Sequence, residues 1–165
     1  MERQLSAILA ADVVGYSALM EQDEAGTFER LRAHRKELFE PEIEKHHGRI
    51  FKLTGDGLFA EFTSVVDAVE CAVSLQRGLA ERNASVAEDQ RMYVRIGINL
   101  GEVIVEGDDR LGEGVNIAAR LEQLADPGGI RLGYSAMSEC AFVVALQVVI
   151  IVHRRMIPPD SGASV

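Results

Sequence analysis

Residues 49–62 read RIFKLTGDGLFAEF. Two short runs, 49–54 and 58–62, carry branched and aromatic side chains and flank the turn Gly55-Asp56-Gly57, the pattern of a β-hairpin. Upstream, LSAILAADVV at 5–14 is almost wholly apolar, as expected of a central strand covered on both faces. The segment 17–46 places Phe28, Leu31, Leu38 and Phe39 at helical spacing, with Pro41 expected to kink or divide it and Gly48 to stop it. Downstream, a helix over 65–82 starts from Ser64 and Asp67 in a capping-box pattern and turns Val65, Val69, Ala72 and Val73 inward. Runs 93–99 and 102–106 read as a strand pair turning at Asn99–Gly101, and a helix over 113–125 stops before Asp126-Pro127-Gly128-Gly129. The order strand, helices, hairpin, helix, strand pair, helix predicts an α+β fold. Its form is a mixed or antiparallel sheet with helices over one face, related to the split βαβ, or ferredoxin-like, arrangement.

Composition bounds the function. A chain of 165 residues, 47% apolar and 26% charged, builds one domain with a real core. Its 26 acidic and 17 basic residues give a net charge of −9, which argues against general nucleic-acid binding. An anionic small molecule would need a metal or a local group of Lys and Arg to meet it. Cys71 and Cys140 show no CxxC spacing and read as two buried thiols in a reducing compartment, with a cytoplasmic location expected. The apolar run at 141–152 is well short of the roughly 20 residues that span a bilayer, so no membrane span is expected.

Three local features carry chemistry. Asp12 ends an otherwise apolar strand, and Asp56 sits at the tip of the glycine-flanked hairpin. Singly, each is what a helix cap or a turn requires. Together they occupy ends of elements that can be neighbours in one sheet, and paired carboxylates there suit a divalent cation that takes its other ligands from phosphate. The third is GEGVNIAAR at 112–120. Asn116 and Arg120 lie four apart on one helix face, beside an apolar stripe of Ile117, Leu121 and Leu124. A surface Asn and a solvated Arg would satisfy that spacing, as would a ribose contact and a phosphate grip.

The strings AADVVGYS, FKLTGDGLFAEF and DRLGEGVNIAAR, in this order and spacing, resemble the catalytic domain of class III nucleotidyl cyclases, closest to the soluble bacterial adenylate cyclase type. The resemblance runs from about residue 4 to 135. It implies that Asp12 and Asp56, with the Val13 carbonyl, bind two Mg²⁺ or Mn²⁺ ions per site. It also implies that the turn Gly15-Tyr16-Ser17 faces the triphosphate, that Lys52 and Asp109 read the purine, and that Asn116 and Arg120 position the ribose and stabilise charge on the α-phosphate. The implied reaction converts ATP to cyclic AMP and pyrophosphate in an antiparallel homodimer with composite sites. The base readers can be checked by chemistry: Asp109 accepts from the exocyclic amine of adenine and Lys52 donates to the adjacent ring nitrogen, whereas guanine reverses that pattern. Strand alternation sets Phe51 and Leu53 on one face and Lys52 on the other.

The resemblance fades beyond about residue 140. Residues 1–140 are therefore read as the catalytic domain, 141–157 as an atypical apolar C-terminal segment, and 158–165 as a disordered tail. The alternative on the same residues is a catalytically silent nucleotide-binding or dimerising module.

Overall fold

The computed structural model describes residues 1–140. The segments expected over 141–157 and 158–165 lie outside the described residues. Strand β1 (Glu2–Val13) is central, flanked antiparallel by β3 (Gly57–Phe62) and by β4 (Val94–Glu106). The hairpin partner β2 (Arg49–Leu53) and the short β5 (Asp109–Leu111) lie at the two ends of the order β2-β3-β1-β4-β5, and β6 (Ile130–Leu132) runs parallel to part of β4.

Alternation along β1 divides the core. Ala7, Leu9, Ala11 and Val13 face the main helical layer, where α4 (Val65–Asn83) packs Ala68, Val69, Ala72 and Leu75 against Leu58, Phe62, Ile96 and Ile98. Ile8 and Ala10 face the other way, toward Val103 and the residues Val115 and Ala118 of α5 (Glu113–Leu124). The sheet has the expected helices over one face, and a single helix lies on the reverse. Gly97 explains how close that helix comes: a Cβ there would fall well inside 3.0 Å of the α5 backbone at Ala118 and Glu122. Burying a side chain such as Phe62 contributes about 2–3 kcal/mol, and such contacts hold the layers together.

The helical segment after β1 is divided earlier than Pro41 suggests. Helix α1 (Tyr16–Gln22) ends at Asp23, whose carboxylate caps α2 (Glu24–His34) by accepting from Gly26 N–H at 3.0 Å. A π-helical turn over Arg35–Phe39 leads into α3 (Glu40–Lys45), with Pro41 in its first turn where no intrahelical N–H is needed. His47, at φ 63°, makes the left-handed exit expected of Gly48. Ser64 caps α4 as expected, accepting from Asp67 N–H.

One element differs in kind. The pair expected to turn at Asn99–Gly101 is a single unbroken strand, β4, which stays in register with β1 from Val94 opposite Val13 to Val105 opposite Glu2. The side chain of Asn99 donates to the carbonyl of Gly114 at 3.1 Å, so its polar group serves the approach of α5 and not a turn. The reversal comes later, at Gly107 (φ 59°) and Asp108, between β4 and β5. The remaining helix, α6 (Tyr134–Cys140), follows β6. Cys71 and Cys140 are both buried free thiols, and burial pushes the Cys71 thiol up to about 12. Among the described residues no helix is long and apolar enough to cross a membrane.

Candidate active site

The two acids named from sequence meet at one end of the sheet. Asp12 stands opposite Gly57 in the β1–β3 ladder, and the backbone N–H of Val13 donates to the carbonyl of Asp56 at 3.2 Å. A Cβ on Gly57 would run into the carbonyl of Ala11, so the glycine is what lets the hairpin tip close onto β1. Gly15, in the left-handed region at φ 64°, turns the chain into α1 directly beyond. Tyr16 is half-buried against the core, and Ser17 is exposed.

Two residues absent from the sequence reading complete this end. Arg95, opposite Asp12 on β4, grips it with both arms, Nε to Oδ1 at 3.2 Å and Nη2 to Oδ2 at 3.1 Å. Glu122 of α5 approaches the same guanidinium at 3.5 Å, and its Oε1 is buried without a hydrogen-bond partner. Burial pushes the Glu122 carboxyl up to about 8, with Asp12 and Asp56 adding to the rise and Arg95 opposing it. The signal was present in VRIGIN at 94–99: Val94, Ile96 and Ile98 face the main core, which leaves a cation at 95 on the side of Asp12.

Asp12 and Asp56 bring carboxylate oxygens to this end of the sheet, and Arg95 lies between Asp12 and the Glu122 carboxyl. Among the described residues no group of three His, Cys, Asp or Glu side chains forms a ready metal cage. Oxygen donors such as Asp12, Asp56 and the Val13 carbonyl are of the type that a hard divalent cation like Mg²⁺ or Mn²⁺ takes together with water or phosphate.

The outward residues of α5 look elsewhere. Its buried side is Gly114, Val115, Ala118 and Glu122, whereas Asn116 and Arg120 are exposed. At about 100° per residue, Arg120 stands some 160° round the helix from Glu122. Ile117 and Leu121 are half-buried as the stripe requires, and Leu124 is 63% exposed, so the inward stripe runs through Ala118 and Glu122 instead. One chain thus turns α5 toward its own Asp12 with Glu122 and presents Asn116 and Arg120 to whatever lies outside.

Lys52 and Asp109 come from strands at opposite ends of the pairing order, yet these strands approach each other. Arg49 Nη1 of β2 donates to the carbonyl of Asp108 at 3.1 Å. Lys52 is exposed and stands opposite Phe59. The register slips by one residue between Ile50 and Lys52, and Phe51 packs its ring 6.1 Å from that of Phe59. The simple alternation that separated Phe51 from Lys52 therefore fails, because the extra residue lets both turn to the α5 face. Asp109 is half-buried and accepts from the N–H of Arg110 at 2.8 Å.

Comparison with known proteins agrees with this architecture. The family described as the adenylate and guanylate cyclase catalytic domain matches residues 2–148. A relative named putative adenylate cyclase 3, from Rhizobium meliloti (strain 1021), is 53% identical over 132 residues, which are 80% of this chain and 22% of that protein. The chain thus spans about a fifth of that relative's length. The crystal structure of an adenylate/guanylate cyclase/hydrolase from Silicibacter pomeroyi is 40% identical, with a TM-score of 0.80 over 85% of this chain and 81% of that one. The adenylyl cyclase CyaB from P. aeruginosa, at 22% identity and a TM-score of 0.71 over 87% of this chain and 84% of that one, shares the fold. The chain belongs to the family of class III adenylate and guanylate cyclase catalytic domains.

Proposed function

We propose that this chain is the catalytic part of an adenylate cyclase, converting ATP to 3′,5′-cyclic AMP and pyrophosphate in a homodimer with two composite sites. The observation that carries the reading is the division of α5: Glu122 turns in toward Asp12 and Arg95, while Asn116 and Arg120 turn out. A chain so built holds its acidic pair and its helix-borne cation on different surfaces, and a second copy brings them together. The likeness to a relative named as a putative adenylate cyclase supports the choice of nucleotide.

In this mechanism Asp12, Asp56 and the Val13 carbonyl would hold Mg²⁺ or Mn²⁺, two per site. Such ions, when bound, would supply a lowered pKa for the ribose 3′-hydroxyl and charge to neutralise the triphosphate. Arg95, held between Asp12 and Glu122 at the same end of the sheet, has donors that could meet phosphate oxygens. The turn Gly15-Tyr16-Ser17 borders the triphosphate. From the second copy, Asn116 holds the ribose and Arg120 meets the charge that develops at the α-phosphate. The 3′-oxygen loses its proton to water and attacks phosphorus in line, and the bond to the bridging oxygen breaks to release pyrophosphate. Lys52 and Asp109 of the second copy select adenine by complementary hydrogen bonding.

The test is cyclic AMP formation by purified protein with ATP and Mn²⁺, measured across protein concentration and beside Asp56→Ala. The expected result is turnover whose specific rate rises with concentration as dimers form. Wild-type product no greater than that of Asp56→Ala would defeat the proposal.

A further inference from the structure

We infer that Glu61 is a positioning residue for purine selection, setting the separation of Lys52 and Asp109. The inference rests on the proposed assignment of those two residues as base readers.

β2 and β5 are separated by three strands in the pairing order, so backbone hydrogen bonds do not fix one against the other. One carboxylate does. Glu61, on β3 and with a side chain only 13% exposed, accepts at Oε1 from Arg49 Nη2 at 2.9 Å and Nε at 3.3 Å. It also accepts from Arg110 of β5, Nε to Oε2 at 2.7 Å and Nη2 to Oε1 at 3.0 Å. Both arginines then reach the turn that precedes β5. Arg49 Nη1 donates to the Asp108 carbonyl at 3.1 Å, and Arg110 Nη1 donates to the carbonyls of Gly107 at 3.1 Å and Asp109 at 2.8 Å.

The placement makes this a device for the base. Glu61 pairs with Arg49 in the ladder and Phe59 pairs with Lys52, so Glu61 and Lys52 share one face of the hairpin. Asp109 opens a strand of only three residues after a glycine turn. An arm that short is loose unless tied. Its side-chain ties are the two arginines, and both are anchored on Glu61. Paired charge-assisted hydrogen bonds fix geometry as well as energy. Reading adenine with one donor and one acceptor tolerates only small errors in their spacing. Arg110, with a side chain 11% exposed, has Glu61 as its only ion-pair partner among the described residues.

The experiment measures equilibrium binding of ATP and GTP, each as its non-cleavable α,β-methylene analogue with Mn²⁺, by displacement of a fluorescent ATP analogue from the purified chain. Wild type, Glu61→Gln, Arg49→Met and Lys52→Ala are compared, with pyrophosphate as a competitor that touches only the phosphate side. Wild type is expected to prefer ATP, and Glu61→Gln to lose about tenfold of that preference with pyrophosphate affinity unchanged. Arg49→Met keeps the Glu61–Arg110 pair and should shift the preference in the same direction at the wild-type melting temperature. A purely structural Glu61 would lower the melting temperature and the fraction of binding-competent protein while leaving the ATP-to-GTP ratio unmoved, and that result overturns the inference. If Lys52→Ala loses the preference while Glu61→Gln and Arg49→Met retain it, the base readers stand and the positioning role falls. If Lys52→Ala also retains it, or wild type shows no preference, the base-reader assignment fails and takes the inference with it.

Discussion

Arg95 and Asp12 face each other across the β1–β4 ladder in a two-pronged ion pair, with hydrogen bonds of 3.2 and 3.1 Å, and Glu122 stands 3.5 Å from the same guanidinium. Removing the cation leaves the buried Glu122 carboxyl without the polar partner it approaches, whereas removing both Arg95 and Glu122 does not. Arg95→Gln should therefore cost about 1–3 kcal/mol in urea unfolding without metal, and adding Glu122→Gln should recover most of it. Asp12→Asn should cost about 1–3 kcal/mol by removing the charge-assisted hydrogen bonds to Arg95, and it should abolish the rise in melting temperature expected of wild type with Mn²⁺.

Gly97 is the point at which α5 touches the sheet backbone to backbone. Gly97→Ala puts a methyl against main-chain atoms of Ala118 and Glu122, which cannot rotate away. The expected loss is about 2–4 kcal/mol, at the upper end for one added carbon because the clash is with backbone. Chemical denaturation reads it, and nucleotide binding should weaken with it because Glu122 moves with the helix.

His34 gives stability a pH dependence. Arg82 Nε donates to His34 Nδ1 at 2.9 Å, so the ring is neutral with its proton on Nε2. Burial lowers its pKa below 6.5, and the nearby Arg82 charge lowers it further. A folded-state value below the unfolded one means that the unfolded chain binds the proton more readily. The contribution of His34 is thus complete above 6.5 and is lost as pH falls through that value toward the folded-state pKa. From pH 7.5 down to 5.5 the melting temperature of wild type should fall relative to that of His34→Gln, the comparison that removes the opposite trend contributed by the raised Glu122 carboxyl.

The proposed composite sites allow a mixing test. Asp56→Ala and Arg120→Ala should each lose about 10²–10³ or more in rate. Mixed in equal amounts and allowed to exchange, they should recover roughly a quarter of wild-type activity, since half of the pairs are mixed and each has one whole site of two. No recovery, with exchange shown by subunit labelling, would mean that each site lies within one chain.

Much of this architecture was legible in the residues. The glycine-bracketed turn, the apolar β1 and the capped α4 follow from local rules, and the pairing of β1 with β3 brings Asp12 to the hairpin tip that carries Asp56. The errors have a common cause. Asn99 and Gly101 look like turn residues because short polar side chains and glycines usually are, but here they admit a helix against a strand. Phe51 broke the alternation because a one-residue register shift is invisible to a period of two. Arg95, Glu122 and Glu61 went unread because a charged residue on a half-buried face acquires meaning only from what the fold sets opposite it.

Helix α5 has 12 residues, a rod of about 18 Å, and opposite faces of a single turn of it serve opposite masters. Glu122 anchors the acidic end of its own subunit, and Arg120, two positions earlier, would lean on the phosphate held by its twin. A rigid body gripped at both flanks cannot shift for one catalytic event without disturbing the next. Saturation curves for nucleotide should consequently depart from simple hyperbolae, with occupancy of the first cleft heard in the second.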